Sequence, residues 1–157
     1  GRHYDAQGNL RDWWTATDSL KFTKEAQKVV DQFDGYIQVD TLHVNGKLTL
    51  GENIGDLGGV KIAYAALQKA LAKKPEEKAA RIDGFTPEQR FFLSYATIWR
   101  SQYRDESLRV QLNTNPHSPG HWRAIGPPSN LPEFYDAFGC AEGTPMRRPE
   151  AERPSIW

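Results

Sequence analysis

The sequence predicts a mainly helical fold with short extended segments and one long loop rich in proline and glycine. Three observations predict it. Apolar residues recur at helical spacing in segments beginning near Trp13, Leu50 and Pro87. Those helices carry recognisable start or stop residues. Between Asn115 and Pro132 the chain instead collects Pro116, Pro119, Gly120, Gly126, Pro127, Pro128 and Pro132, which breaks regular structure.

Taken in order, residues 1–12 contain turn chemistry (Asp5-Ala6-Gln7-Gly8-Asn9) and little to bury. From Trp13 to Phe33 the positions Trp14, Leu20, Ala26, Val29, Val30 and Phe33 fit one face of an amphipathic helix, and Gly35 is placed to end it. Residues 36–50 alternate around Asn45-Gly46, a hairpin-turn pair, and read as extended or loop. Thr49-Leu50-Gly51-Glu52 has the form of a capping box, opening a helix rich in Ala and Leu that runs to Lys73. Residues 74–84 form a charged surface connection. Thr86-Pro87-Glu88-Gln89 starts another helix, with Pro at its first position and Gln at its third. Its stripe of Phe91, Phe92, Tyr95, Ile98, Trp99 and Tyr103 reads as core packing. A short helix near 105–112 and another at 133–138 complete the set.

A length of 157 residues suits one domain. Hydrophobic residues make up 38% and charged residues 25%, a globular balance. The formal net charge is zero, which argues against broad nucleic-acid or anionic-membrane binding, since both draw on a basic excess. No apolar run approaches the roughly 18 residues that span a bilayer. Cys140 is the one cysteine, so no disulfide forms within the chain.

Two segments could carry chemistry. In Glu52-Asn53-Ile54-Gly55-Asp56 the two acids stand four apart and share a helix face, followed along it by Gly55, Gly59, Ala63 and Ala66. That face would let another helix approach closely and meet two carboxylates. Glu52 could equally close the capping box while Asp56 favours the positive helix end, worth about 0.3–1 kcal/mol. In His117-Ser118-Pro119-Gly120-His121-Trp122-Arg123 the histidines are also four apart, but Pro119 and Gly120 separate them and no HExxH pattern is present. An ordinary loop pair is one account. Presentation of His117 and Arg123 to a carbonyl or anionic oxygen is the other.

Together the two segments resemble neprilysin-type (M13 family) zinc metallopeptidases. Gly51-Glu52-Asn53-Ile54-Gly55-Asp56-Leu57-Gly58-Gly59 is similar to the family's GENIADxGG segment, and Asn115-Pro116-His117-Ser118-Pro119-Gly120-His121-Trp122-Arg123 to its HSPGxxR loop. The similarity extends through Asp12-Trp13-Trp14, Phe91-Phe92-Leu93, Pro132-Glu133-Phe134, Ala137-Phe138-Gly139-Cys140, Met146, Pro149-Glu150 and Trp157. The resemblance implies that residues 1–157 are the helical C-terminal part of a zincin-type catalytic domain. It implies Glu52 as the third protein ligand of a catalytic zinc, the other two being histidines of an HExxH helix. Asp56 would accept the N–H of one ligand histidine and fix its tautomer. His117 would donate to the oxyanion of the tetrahedral intermediate, and Arg123 would bind a substrate carbonyl. His121 receives no role.

The chain's histidines are His3, His43, His117 and His121, none within HExxH. In the family that helix and an NAxY-type substrate strand lie upstream of the segment resembling Gly1-Arg2-His3-Tyr4-Asp5. The expected partners are therefore peptide substrates and the N-terminal remainder of the same catalytic domain, and the chain alone is expected to be inactive. Gly55 stands where the family often has Ala, a departure expected to matter little. Glu152-Arg153-Pro154-Ser155 fills the region where mammalian members place a cysteine. Family resemblance favours an extracytoplasmic location. Two rival readings are a self-sufficient metal site of Glu52, His117 and His121, and a non-catalytic helical binding module.

Overall fold

The computed structural model describes residues 2–156; Gly1 and Trp157, quoted above for the resemblance, lie outside the described residues. The elements are α1 (Ala16–Asp34), β1 (Ile37–Val39), β2 (Leu42–His43), α2 (Gly46–Leu71), α3 (Pro75–Ala79), α4 (Pro87–Ile98), α5 (Asp105–Thr114), α6 (Gly120–Ile125) and α7 (Pro132–Phe138). The fold is mainly helical, as the periodicity predicts.

Thr15 caps α1 by accepting the Asp18 N–H, and Gly35 ends it. The apolar face read from the sequence is the buried one: Ala26, Val29, Val30 and Phe33. Leu20, from the same stripe, is 73% exposed. α4 begins as expected, with Thr86 and Gln89 closing a reciprocal capping box. Of the aromatic stripe, Phe92 is buried, whereas Ile98 and Tyr103 are largely exposed, and Trp99 and Tyr103 fall beyond the last helical residue.

The start of α2 corrects the sequence reading. The helix opens at Gly46, with Asn45 accepting the Leu48 N–H as its cap. Asn45-Gly46 is therefore a helix start and not a hairpin turn; the turn between β1 and β2 lies at Asp40, whose φ is +50°. Thr49 is buried inside the helix and donates to the Asn45 carbonyl at 2.9 Å. Gly46 explains why the helix can begin here. A Cβ on it would come within 2.3 Å of the Val30 carbonyl oxygen, so only glycine lets α2 start against α1.

α2 is the spine between two apolar clusters. On one side Ile54 meets Ala26, Val29 and Phe33 of α1 and Leu112 of α5, with Trp122 of α6 against them. On the other, Leu57 and Val60 meet Phe92 and Leu131. A fully buried side chain such as Phe33 contributes about 1.5–3 kcal/mol. The long Pro/Gly loop is more ordered than expected. It contains α6 and a 3-10 turn at Pro128–Asn130. The turn is tied to α1 by Gln32, whose side-chain nitrogen donates to the Gly126 carbonyl at 3.0 Å and to Ser129 Oγ at 3.1 Å. The same amide's oxygen accepts from Asn130 at 2.8 Å. Tyr36 stacks on Trp122 with centroids 4.0 Å apart and seats α6 on the end of α1. None of the helices is long and apolar enough, among the described residues, to cross a membrane.

Candidate active site

Glu52 and Asp56 lie well inside α2, six and ten residues past its first residue. The capping and helix-dipole account of these acids therefore fails, because both effects fade within the first turn. Their common face is confirmed by a shared partner. Arg123, 67 residues after Asp56, donates from Nε to Asp56 Oδ2 at 2.6 Å and from Nη2 to Oδ1 at 2.8 Å. The same Nη2 lies 3.6 Å from Glu52 Oε2. The Arg123 and Asp56 side chains are each 13% exposed, while that of Glu52 is 43% exposed. The outer carboxylate is thus open and the inner one enclosed. Burial opposes the Arg123 charge, but hydrogen bonding and the negative field of Asp56 and Glu52 outweigh it and raise its pKa above the ordinary value.

His117 closes the cluster. Its Nε2 stands 3.1 Å from Glu52 Oε2. The Asn115 side-chain oxygen lies 2.9 Å from both the His117 backbone nitrogen and Nδ1. Since the backbone N–H must donate, that Asn115 atom is an acceptor, and Nδ1 carries a proton when it bonds there. The ring nitrogen left to address a ligand is Nε2, the one nearest Glu52. His121 takes a different course: it is the second residue of α6 and lies edge-on to Trp122, with ring centroids 4.6 Å apart. Among the described residues no group of three or more His, Cys, Asp or Glu could hold a metal ion, so Glu52, His117 and His121 do not assemble into a self-sufficient site.

Several supporting residues carry no sequence signal for this role. Ser118, 2% exposed, donates to Asn53 Oδ1 at 2.8 Å, and Asn53 is 1% exposed. Asn53 in turn donates to Thr49 Oγ1 at 2.9 Å. This buried chain fastens the residue after His117 to the residue after Glu52. Ser118→Ala would leave the Asn53 oxygen without that donor, at a cost of about 1–3 kcal/mol. A urea midpoint equal to that of the parent chain would show the bond to be dispensable. Tyr95 and Trp99, assigned by spacing to the core, also face the site. Tyr95 donates to the Arg123 carbonyl at 3.0 Å, and burial, with Asp56 adding to it, pushes its phenol pKa well up. The Arg123 guanidinium carbon lies 4.0 Å from the centroid of the Trp99 ring.

From Asp56 a groove of about 700 Å³ runs along α2 past Gly55, Gly59 and Ala63 toward Ile82 and Phe91. A Cβ at Gly55 or Gly59 would meet nothing within 4 Å. Alanine therefore fits at Gly55, as expected, and among the described residues no helix is pressed against this stripe of small residues.

Residues 1–153 match the model of peptidase family M13. The chain belongs to that family. An endothelin-converting enzyme homolog of Locusta migratoria is 47% identical over 146 residues, which is 93% of this chain and 20% of that protein. Human endothelin-converting enzyme 1 is 43% identical over 157 residues, all of this chain and 20% of the enzyme. The M13 chain thus spans about a fifth of the length of these relatives. In structure it is similar to the Mycobacterium tuberculosis zinc metalloprotease Zmp1 in complex with an inhibitor, with a TM-score of 0.89 and 37% identity, covering 99% of this chain and 24% of that one. The two segments that carry the resemblance, around Glu52–Asp56 and His117–Arg123, are the ones that meet at Arg123.

Proposed function

We propose that this chain forms one part of the active centre of a zinc-dependent, neprilysin-like metalloendopeptidase that hydrolyses short peptides. The observation that carries the reading is the convergence of Glu52 and Asp56 from α2, His117 from the loop and Arg123 from α6 on one patch. The donor set suits zinc: an open carboxylate on a rigid helix, backed by an enclosed one. Glu52 would be a zinc ligand, and the histidine ligands would come from the remainder of the catalytic domain. The stripe of Gly55, Gly59 and Ala63 leaves room for a helix bearing them. When bound, zinc supplies Lewis-acid polarisation of the substrate carbonyl and an activated water.

The chain's own residues then divide the work. Asp56 orients a ligand histidine by accepting its ring N–H while remaining paired with Arg123. With Nδ1 already holding a proton toward Asn115, His117 would donate from Nε2 as the imidazolium to the oxyanion that develops on the scissile carbonyl. Arg123 uses Nε and Nη2 for Asp56; Nη1 takes no part in that pair and would bind a substrate backbone carbonyl. With one zinc ligand of its own, the isolated chain would bind zinc weakly and hydrolyse no peptide. An extracytoplasmic site of action and peptide substrates, not nucleic acids, complete the reading.

Steady-state kinetics of the complete enzyme on one peptide test these roles. His117→Ala should lower kcat and kcat/KM together by about 10²–10³, because an oxyanion donor acts mainly in the transition state. Arg123→Met should raise KM, since it contacts substrate already bound. His121→Ala should change little. A large loss for His121→Ala with none for His117→Ala would assign the wrong histidine.

A further inference from the structure

We propose that Ser118 and Asn53 are positioning residues that set the spacing between Glu52 and the oxyanion-binding nitrogen of His117. This rests on the reading of His117 as the oxyanion donor and Glu52 as a zinc ligand. Both side chains must then serve one substrate carbonyl, which requires their separation to be held to about 0.5 Å. Their own contact, 3.1 Å between Oε2 and Nε2, is a poor spacer, because both side chains are nearly half exposed and ion pairs open to water constrain little. Gln111 Nε2 donates to the His117 carbonyl at 3.2 Å, and Asn115 holds the imidazole. Those contacts come from α5 and its C-terminal end, not from α2.

The constraint from α2 runs beneath the exposed pair, through the next residue on each side. Ser118 Oγ lies 2.8 Å from Asn53 Oδ1, Asn53 Nδ2 lies 2.9 Å from Thr49 Oγ1, and Thr49 Oγ1 lies 2.9 Å from the Asn45 carbonyl. Ser118, Asn53 and Thr49 are all buried. The far end of this chain fixes its direction. A carbonyl can only accept, so Thr49 gives its single proton to Asn45 and must accept from Asn53. That turns the Asn53 amide nitrogen toward Thr49 and its oxygen toward Ser118, which makes Ser118 the donor. Asn53 follows Glu52 in a rigid helix and Ser118 follows His117 directly. The bond between them therefore carries the position of α2 to the backbone of His117.

Ser118→Ala and Ser118→Cys, each alone and combined with His117→Ala, test this in the complete enzyme. Cysteine is close to serine in size but a weak donor. Three quantities are read: kcat and KM for one peptide, zinc content, and the affinity of a phosphinic peptide, whose tetrahedral anion mimics the transition state. Ser118→Ala should lower kcat by about 10- to 100-fold with little change in KM, as displacement of a catalytic group does. The phosphinic peptide should weaken by a similar factor while zinc content stays at the parental level. Ser118→Cys should fall between Ser118→Ala and the parent. With His117→Ala in place, neither substitution should lower kcat further. An equal further loss in that background would overturn the proposal, because the effect would not pass through His117. Zinc lost in step with kcat would overturn it too, as would an unchanged kcat in Ser118→Ala where His117→Ala lowers it. If Ser118→Ala fails to fold, Ser118→Cys carries the same comparisons with a smaller effect. His117→Ala without any effect on kcat would instead remove the reading beneath the proposal, and the proposal with it.

Discussion

Glu52→Gln is expected to weaken zinc binding in the complete enzyme and nearly abolish turnover, while leaving the fold intact. The amide keeps the size of the side chain but loses the charge that a hard-oxygen ligand brings to zinc. Glu52 is the right place for such a separation of effects. Its side chain is 43% exposed and meets the side chains of His117 and Arg123, so α2 does not depend on it for packing. Metal content measured after dialysis, alongside peptide turnover and a thermal melt, checks the expectation. A variant that retained parental zinc and turnover would remove Glu52 from the ligand set.

Asp56→Ala should have the opposite profile, with activity and stability falling together. Loss of a carboxylate that orients a metal ligand costs about 10–100-fold in metal affinity or activity. The structure adds a second cost that the sequence alone does not indicate. Arg123 would keep its charge in a site where its side chain is 13% exposed, and breaking one partner of a buried pair destabilises by about 3–5 kcal/mol. The Trp99 face and the neighbouring Glu52 soften the upper end of that range. Asp56→Asn, which restores one acceptor oxygen without the charge, should recover part of the stability. Chemical denaturation of the parent and both variants reads this directly, and an Asp56→Ala variant as stable as the parent would show that Arg123 finds its support elsewhere.

These two expectations divide according to what was visible in the sequence. The spacing of Glu52 and Asp56 placed them on one helix face, and the resemblance pointed to His117 and Arg123. The pairing of Asp56 with Arg123 was not legible, because nothing in either local sequence states which distant charge will satisfy a buried one. The same holds for Ser118 and Asn53. Each is a small polar residue with many possible partners, and only their joint burial identifies the bond between them. Trp99 and Tyr95 have a place at the site that spacing does not report, although Tyr95 also packs against the cluster of Phe92 and Leu131. Helical spacing assigned them to the core, but periodicity reports which residues share a face, not what that face meets.

By itself, then, the sequence determined the helical class, the start of α4, the buried face of α1 and the family. Each of these rests on neighbours three or four residues apart, or on short ungapped segments, where the chain's own period carries the information. Even locally it misplaced the start of α2. Asn45-Gly46 suits a hairpin turn and a helix cap equally well, and Thr49-Glu52 imitates a capping box. Tertiary contact broke the tie: α2 starts at Gly46 against the Val30 carbonyl of α1, where a Cβ would not fit. Tertiary structure also decided the site. The α2 acids and the residues at 117–123 come together because two apolar clusters on either side of α2 set the positions of α1, α4 and α6. The buried polar contacts between them then exclude other registers, because any shift would strand the charge of Arg123 or the amide of Asn53 without a partner.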